Sequence, residues 1–278
     1  MSSLLRTRPI EPFGVEILED LSSPLSGEQQ EQFRQLFLMH ELIVARSQSL
    51  DRGTHQSLAS LLGPLCVAGD SDELDNTSKL DLFKNSGLAY HSDNMYGPDP
   101  HHALSLHALD VTPDSTCTNF ISTTRAARDI PAHLRARLLG RDVKLVLGLL
   151  FDRRNRLRDQ PVPVGLGWPE RWWPVFSTHP ENGREFLTIS LNAADCISGL
   201  DDDQSEALLE EVFRFLYRAE AIYSHQWRTG DVVFWDNLAT QHGRPMVPDG
   251  VIRRLQRVSI GGLGFAIMFP ELATLPVD

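Results

Sequence analysis

Three side chains from remote parts of the sequence could together hold a metal ion. His91 and Asp93 form a His-x-Asp pair, and His242 follows about 150 residues later. Side chains at positions i and i+2 of a strand point to the same face, so His91 and Asp93 can reach one ion. Two imidazoles and one carboxylate form the facial triad that leaves coordination positions open on a non-haem Fe(II). The alternative is a polar turn in which His91 is only hydrogen-bonded.

Two arginines follow His242 at a spacing that suits an anion site. The apolar run Val232–Trp235 predicts a buried strand, and His242 is expected where that strand gives way to a loop. Arg253 then begins a second strand, and Arg257 follows four residues later. A guanidinium offers a planar fork that matches a carboxylate and keeps its charge when buried. The alternative for Arg253 is a surface charge on a strand.

Several segments together resemble one known family. The resemblance is carried by Ile10–Ile17, Pro24–Ser26, His91–Asp93, Trp235–Asn237, Gln241–His242 and the pair Arg253 and Arg257. On these segments the sequence is similar to the taurine dioxygenase family of Fe(II)- and 2-oxoglutarate-dependent oxygenases. The resemblance implies three things about activity: Fe(II) bound by His91, Asp93 and His242, 2-oxoglutarate as co-substrate, and O₂ as oxidant. It also implies a double-stranded β-helix, the cupin-like jelly roll.

The same resemblance assigns the co-substrate site. It implies that Arg253 binds the distal carboxylate of 2-oxoglutarate and that Thr118 helps from the facing strand. The family usually has Gly-Gly-Asp-Thr at that point, whereas this sequence has Ser-Thr-Cys-Thr over residues 115–118. Family members that halogenate replace the carboxylate of the triad by a small residue, so Asp93 argues against halogenation.

The substrate is less defined by the sequence. Arg257 could bind an anionic group of the substrate, support 2-oxoglutarate or anchor an internal carboxylate. Tyr90, Asn94 and Asn85 lie near the metal motif and are expected to line the substrate pocket. Departures from the taurine enzymes around these residues make taurine itself an unexpected substrate. The cluster of Trp168, Trp172 and Trp173 suits a lid, a dimer contact or a buried corner.

Composition limits the class of protein. The 278 residues carry a net charge of −11 and 23% charged residues, which argues against nucleic acid or an anionic membrane as the main partner. Three widely spaced cysteines indicate neither a disulfide framework nor a metal site, as expected in a reducing cytoplasm. No segment approaches the roughly 18 apolar residues of a membrane span. We expect a cytoplasmic protein that acts on a small molecule. The sequence is compatible with a homo-oligomer and does not define the number of subunits.

Periodicity predicts a mainly β fold of the α+β class with helices around the barrel. Short strands are predicted from residue 88 onward, with a helix over residues 123–139 among them. The clearest helix is Asp202–Tyr217, with one apolar stripe. A capping box of Ser26 and Gln29 predicts another helix start. The acidic stretch Gly69–Ser78 has no apolar period and is expected to be a loop. Because no linker is evident, residues 1–278 are expected to form a single domain.

The expected reaction is hydroxylation of a small organic substrate with release of succinate and CO₂. Desaturation, cyclisation and epimerisation would use the same residues. The alternatives from other classes are a non-catalytic barrel that binds metal and a ligand, and a zinc hydrolase. The sequence does not contain the Gly-x-Ser-x-Gly or phosphate-loop motifs of other enzyme classes.

Overall fold

The computed structural model describes residues 4–66, 73–77, 85–147 and 169–273. Within these ranges the fold is mainly β, with the helices packed outside the sheets. The strands are β1 (Thr7–Pro9), β2 (Val15–Ile17), β3 (Leu42–Ala45), β4 (Glu73–Asp75), β5 (Leu88–His91), β6 (Ala103–Val111), β7 (Cys117–Ser122), β8 (Asp142–Val146), β9 (Glu170–Pro174), β10 (Phe176–Thr178), β11 (Glu185–Leu187), β12 (Ala194–Ile197), β13 (Tyr223–Gln226), β14 (Val232–Asp236), β15 (Thr240–Arg244) and β16 (Arg253–Ile260). The helices are α1 (Gly27–His40), α2 (Arg52–Ser60), α3 (Thr123–Asp129), α4 (Ala132–Leu138), α5 (Asp202–Leu216), α6 (Phe265–Met268) and α7 (Pro270–Ala273), with a 3₁₀ turn at Ala219–Ala221.

Two sheets carry the residues of interest. The larger sheet has the strand order β1-β2-β3-β14-β6-β16-β4, and the smaller one has the order β13-β7-β15-β5. Strand β14 lies between β3 and β6 and is antiparallel to both. Strand β15 is antiparallel to β7 and β5. Further short sheets, β12-β8-β9 and β10-β11, lie beside this pair.

The alternation of side chains along β14 explains why the larger sheet is buried on both faces. Val233 and Trp235 belong to an apolar cluster that also contains Phe120 of the smaller sheet. Val232 and Phe234 point the other way, into a cluster with α1 and α2. Because successive side chains of a strand face opposite sides, one continuous apolar run supplies both layers. The layer between the two sheets, which we call the inner layer, is defined by Phe120, Trp235 and their neighbours.

The predicted helix starts are confirmed. The Ser26 hydroxyl oxygen accepts a hydrogen bond from the Gln29 backbone N–H, and the Gln29 side-chain oxygen accepts one from the Ser26 backbone N–H, which completes a capping box. Asp201 and Gln204 form a second one at the start of α5. The stripe of α5 packs in a third apolar cluster, together with the outer face of the smaller sheet. The members of that stripe are Leu208, Leu209, Val212, Phe213 and Leu216.

Several predicted elements differ from the structure. The helix expected over residues 123–139 is divided into α3 and α4 at Ile130–Pro131, because the residue before a proline avoids the helical conformation. Within the acidic stretch expected to be a loop, Glu73–Asp75 forms β4 and pairs with the edge of β16, so that prediction is wrong for these residues. Strand β16 of the larger sheet supplies the pairing partner for β4, and the local sequence of β4 does not indicate it. None of the helices among the described residues combines the length with the apolar character that a membrane span requires.

Candidate metal and co-substrate site

Antiparallel pairing of β5 with β15 brings the predicted metal ligands together. His242 lies directly opposite His91 in the ladder, and the two rings have centroids 4.3 Å apart. The Asp93 Oδ1 atom is 3.1 Å from His91 Nε2 and 3.6 Å from His242 Nε2. One ligand atom from each residue lies within 4.8 Å of the others. The predicted convergence of these three side chains is therefore present in the fold.

His242 is located within a strand and not in a loop. The turn after β14 is tight, and Thr240–Arg244 immediately forms β15. This corrects the expectation that β14 gives way to a loop at His242. The close approach of the strands requires the glycine that follows, because a Cβ at Gly243 would lie 2.9 Å from the Leu88 carbonyl oxygen. A strand fixes His242 more rigidly against His91 than a loop would.

The tautomer of His91 suits metal binding. Its Nδ1–H donates a 2.7 Å hydrogen bond to the Ala89 carbonyl, which leaves the lone pair of Nε2 facing Asp93 and His242. Metal-bound histidines commonly donate their second ring nitrogen in this way. Burial acts to lower the pKa of His91, but the hydrogen bond and charge of Asp93 outweigh it, so the pKa is raised.

His242 lies in the apolar inner layer. Its ring is 5.0 Å from that of Trp235 and 6.2 Å from that of Phe120. Burial, followed by the positive charge of His91, lowers the pKa of His242 to about 3. The Nδ1 atom of His242 is buried and has no hydrogen-bond partner among the described residues. A neutral imidazole with Nε2 toward the cluster is the form that ligates a metal.

Asp93 is ionised and oriented. Burial acts to raise its pKa, but Arg257 and the two histidines hold the pKa of this carboxyl well below its usual range. Arg257 Nη2 donates a 2.7 Å hydrogen bond to Oδ2, so Oδ1 is the oxygen beside the imidazoles. Of the three roles open for Arg257, the structure shows the anchoring of an internal carboxylate.

The three donor groups fit a ferrous ion. Two ligand atoms that bind one ion at right angles lie roughly 3 Å apart, close to the 3.1 and 3.6 Å found between Asp93 and the histidines. A structural zinc site would use four protein ligands and usually cysteine. Among the residues that the structure describes, the cluster contains two histidines and one aspartate and no cysteine. This donor set leaves coordination positions for further ligands and suits Fe(II).

Arg253 and Thr118 also lie in the inner layer. Leu255 of β16 packs in the inner layer. Arg253 and Arg257 lie two residues before and after it, so both side chains leave the strand on the face that is directed toward the inner layer. Arg253 is buried, and its charge lowers the pKa of His242. Thr118 is buried across the layer, and its hydroxyl oxygen accepts a 2.9 Å hydrogen bond from the Trp227 indole N–H. The two predicted co-substrate residues therefore lie on the two sheets that enclose the triad.

Two of the residues expected to line the substrate pocket, Tyr90 and Asn85, make contacts with other parts of the protein. Tyr90 alternates with His91 along β5, and its ring stacks on Tyr217 at 4.4 Å, outside the smaller sheet. The structure therefore does not bring Tyr90 to the triad. Asn85 is hydrogen-bonded to Asn76 at 3.0 Å and to Asp249 at 3.3 Å, and this position makes it a loop anchor.

Asn94 has a left-handed backbone (φ 61°) and is also engaged by its neighbours. Its amide nitrogen lies 3.2 Å from His101 Nε2, and its amide oxygen accepts a hydrogen bond from the Tyr96 hydroxyl. Asn94 is thus held in the loop that follows Asp93, and its predicted contact with substrate stays a prediction.

The tryptophan cluster is only partly described, because Trp168 lies outside the described residues. The Trp173 indole N–H donates a 2.7 Å hydrogen bond to the Met95 carbonyl, and the Arg171 guanidinium lies 4.1 Å from the ring centroid of Trp173. Trp172 alternates outward and is 47% exposed. Trp173, which is partly buried, therefore anchors the loop after Asp93.

Two further residues support the site, although the sequence assigns a role to neither. Asn76 accepts a hydrogen bond from the Arg253 backbone at 2.8 Å and fastens the start of β16. It belongs to the acidic stretch expected to be a loop, and no local pattern marks it. Asn237 forms hydrogen bonds with the backbone of Asp93, and the sequence marks it only as part of the Trp235–Asn237 motif. Its position five residues before His242 is the one signal that could have suggested its role.

Several known proteins have sequences similar to that of this chain. An (S)-phenoxypropionate/alpha-ketoglutarate-dioxygenase of Delftia acidovorans is 41% identical over 229 residues, which are 74% of this chain and 77% of the relative. A tyrosine isonitrile desaturase of Erwinia amylovora (strain CFBP1430) is 32% identical over 190 residues, 65% of this chain and 61% of the relative. The crystal structure of AAD-2 in complex with Mn(II) and N-oxalylglycine superposes with a TM-score of 0.76 at 19% identity, covering 93% of this chain and 97% of that one. At that identity the superposition establishes the fold.

The family comparison extends over most of the sequence. The pattern that defines the taurine catabolism dioxygenase TauD, TfdA family matches residues 6–259. That range contains the triad, Thr118, Arg253 and Arg257. The chain therefore belongs to the TauD/TfdA family and is a 2-oxoglutarate-dependent dioxygenase.

Proposed function

We propose that the chain binds Fe(II) through His91, Asp93 and His242 and oxidises a small organic acid at the expense of 2-oxoglutarate and O₂. The observation that carries the proposal is the convergence of three ligand atoms on one point of the inner layer: His91 on β5, His242 on β15 and Asp93 in the segment that follows β5. The ionised Asp93 and the neutral His242 are already in the forms that a metal requires. Fe(II) bound there would supply the activation of O₂ that couples decarboxylation of 2-oxoglutarate to oxidation of the substrate.

The proposal includes the architecture. We take the two facing sheets as the halves of a double-stranded β-helix, since antiparallel neighbours in each sheet come from distant parts of the sequence. We also take residues 1–278 as a single domain. The support is that the N-terminal strands β1–β3 and the late strands β14 and β16 share one sheet.

The chain's own residues would orient the co-substrate and keep the site dry. Arg253 would bind the distal carboxylate of 2-oxoglutarate through its planar fork, with Thr118 opposite. Phe120 and Trp235 are fully buried beside His242 and exclude water from that side of the site. An enclosed apolar layer strengthens each charged contact and limits side reactions.

The charges of the inner layer favour an anionic substrate. Arg244 shares the face of His242 on β15, and Arg253 and Arg257 share the inward face of β16. Strands β5, β15 and β16 carry no acidic side chain. The acidic group at the triad is Asp93, in the segment that follows β5, and it pairs with Arg257. A small carboxylic acid, such as the phenoxypropionate named for the Delftia relative, would complement this charge. Desaturation is the second candidate outcome, because the Erwinia relative is a desaturase.

The experiment is an anaerobic reconstitution with Fe(II) and 2-oxoglutarate, followed by O₂ and a panel of aryloxy and amino-acid-derived acids. We expect succinate release to rise when the correct acid is present. The mass of the product distinguishes the gain of one oxygen from the loss of two hydrogens. His91→Ala and His242→Ala should abolish turnover, whereas His133→Ala on the exposed side of α4 should retain it.

Two outcomes would contradict the proposal. Wild-type protein that binds metal and ligand but never converts 2-oxoglutarate would indicate a non-catalytic barrel. Hydrolysis that depends on zinc and is independent of 2-oxoglutarate would indicate a hydrolase.

A further inference from the structure

The side chain of Asn237 is fully buried and is bonded to the backbone of Asp93. Its Oδ1 accepts a 2.7 Å hydrogen bond from the Asp93 N–H. Its Nδ2 donates to the Asp93 carbonyl at 2.9 Å and to the His101 carbonyl at 2.8 Å. All the hydrogen-bonding capacity of the amide nitrogen, and one lone pair of its oxygen, are therefore used. The orientation of the amide is fixed by these partners, because a flipped amide would place its oxygen against two carbonyls.

Asp93 depends on this amide because it lies just beyond the end of β5. The strand ends at His91, so the ladder with β15 does not continue to Asp93. Both backbone hydrogen bonds that the structure shows for Asp93 go to Asn237. An amide that binds both the N–H and the C=O of one residue replaces the neighbouring strand at that point. Buried peptide groups require such partners.

Asn237 is itself held by the turn that leads to His242. Its own N–H donates to the His102 carbonyl at 2.9 Å. The neighbouring Asp236 carboxylate accepts hydrogen bonds from the N–H groups of Leu238 and Ala239, at 3.0 and 2.9 Å. Strand β15 begins directly after this turn. One side chain therefore ties the backbone of Asp93 to the segment that carries His242.

We infer that Asn237 is the positioning residue for Asp93: it fixes the backbone of the carboxylate ligand relative to His242, while Arg257 fixes the carboxylate itself. The inference rests on the proposed metal site. In this role the Asn237 amide affects metal affinity through Asp93, in addition to packing in the core. Loss of a partner that orients a metal ligand typically weakens metal binding by roughly 10- to 100-fold.

The test measures Mn(II) binding, which needs neither O₂ nor turnover. Dissociation constants are obtained from the electron paramagnetic resonance signal of free Mn(II), for wild type, Asn237→Ala and Asn182→Ala. Asn182 is the matched control, because its amide also joins two segments, accepting from the Arg184 N–H at 3.0 Å and donating to the Leu38 carbonyl at 3.3 Å. Circular dichroism and thermal melting of the metal-free proteins establish that each variant is folded.

We expect the dissociation constant of Asn237→Ala to rise about 10- to 100-fold and that of Asn182→Ala to change less than about twofold. At saturating Co(II), the visible absorption of Asn237→Ala should differ from that of wild type, because a loosened carboxylate changes the coordination, and the spectrum of Asn182→Ala should not. If Asn237→Ala does not fold, Asn237→Asp provides the same test. It keeps the shape and the acceptor for the Asp93 N–H and loses the donors, so its dissociation constant for Mn(II) should also rise.

Two results would overturn the inference, and they can be told apart. Folded Asn237→Ala or Asn237→Asp that binds Mn(II) like wild type, with an unchanged Co(II) spectrum, would leave Asn237 as a packing residue. Wild type that binds no Mn(II) would instead contradict the proposed metal site, and the inference would fall with it.

Discussion

Arg257 donates a 2.7 Å hydrogen bond to the Asp93 oxygen that is directed away from the two imidazoles. The opposite oxygen lies 3.1 Å from His91 Nε2. One oxygen of the Asp93 carboxylate, Oδ2, is therefore bound by Arg257, and the other, Oδ1, faces the proposed metal site. Arg257, for which substrate binding was one possible role, therefore helps to orient a ligand of the triad.

The first prediction concerns Arg257. We expect Arg257→Ala to raise the dissociation constant for Mn(II) about tenfold or more, because the carboxylate loses the partner that orients it. Arg257→Lys should recover part of the loss, since an ammonium supplies charge without the planar fork. Metal affinity unchanged in Arg257→Ala, with a raised KM for substrate, would show that the arginine serves the substrate only.

The second prediction concerns the co-substrate. Arg253→Ala should raise the KM for 2-oxoglutarate by about 10- to 100-fold, as expected for the loss of a charge-assisted hydrogen bond worth roughly 1.5–3 kcal/mol. The matched control is Arg254→Ala. Its guanidinium is exposed and pairs with Glu73 at 3.4 Å, so the KM should stay near that of wild type. Equal KM values for the two variants would refute the assignment of Arg253.

The third prediction is a pH dependence of stability that arises from His55. This histidine belongs to α2 and is fully buried, with its ring nitrogens 2.9 Å from Gln256 Oε1 and 2.7 Å from Ser105 Oγ. Burial lowers its pKa from 6.5 to about 4. As the pH falls below 6.5, the unfolded chain binds a proton that the folded chain does not, so the free energy of unfolding decreases.

The size of this effect follows from the same shift. His55 should contribute a loss of about 1.4 kcal/mol per pH unit, or about 3 kcal/mol in total, between pH 6.5 and pH 4. Urea denaturation across this range should give a shallower slope for His55→Gln than for wild type. His133→Gln, at an exposed position of α4, is the control. A slope that His55→Gln leaves unchanged would assign the acid sensitivity to other groups.

The fourth prediction concerns the buried carboxylate of Glu41. It accepts hydrogen bonds from the hydroxyls of Ser122, at 2.6 Å, and Thr124, and it pairs with Arg184 at 3.0 Å. Glu41→Ala should lower the free energy of unfolding by about 3 kcal/mol, because it leaves buried donors without an acceptor. Glu73→Ala, which removes an exposed ion pair with Arg254, should cost less than about 1 kcal/mol in the same chemical denaturation. Similar losses for the two variants would contradict a structural role for Glu41.

The helix starts and the buried strands were predictable because their signals are local. The capping box of Ser26 and Gln29, the stripe of α5 and the apolar run of β14 each lie within one segment. Strand β4 was missed because it depends on the edge of β16, which is about 180 residues away. The substrate role expected for Tyr90 rested on its neighbour in the sequence, and the alternation of β5 turns its ring outward onto Tyr217.

The sequence by itself determined the chemical types at the site: two histidines and an aspartate at the right spacing, with arginines downstream. Residue identity and family resemblance carry that information, because a ligand set is written in the side chains. Only the tertiary structure decided which groups meet, since contacts such as Arg257 with Asp93 and Asn237 with the Asp93 backbone join residues about 150 positions apart. The physical reason is that strand pairing sets their distance and direction, and pairing depends on register across the whole sheet and on no single segment.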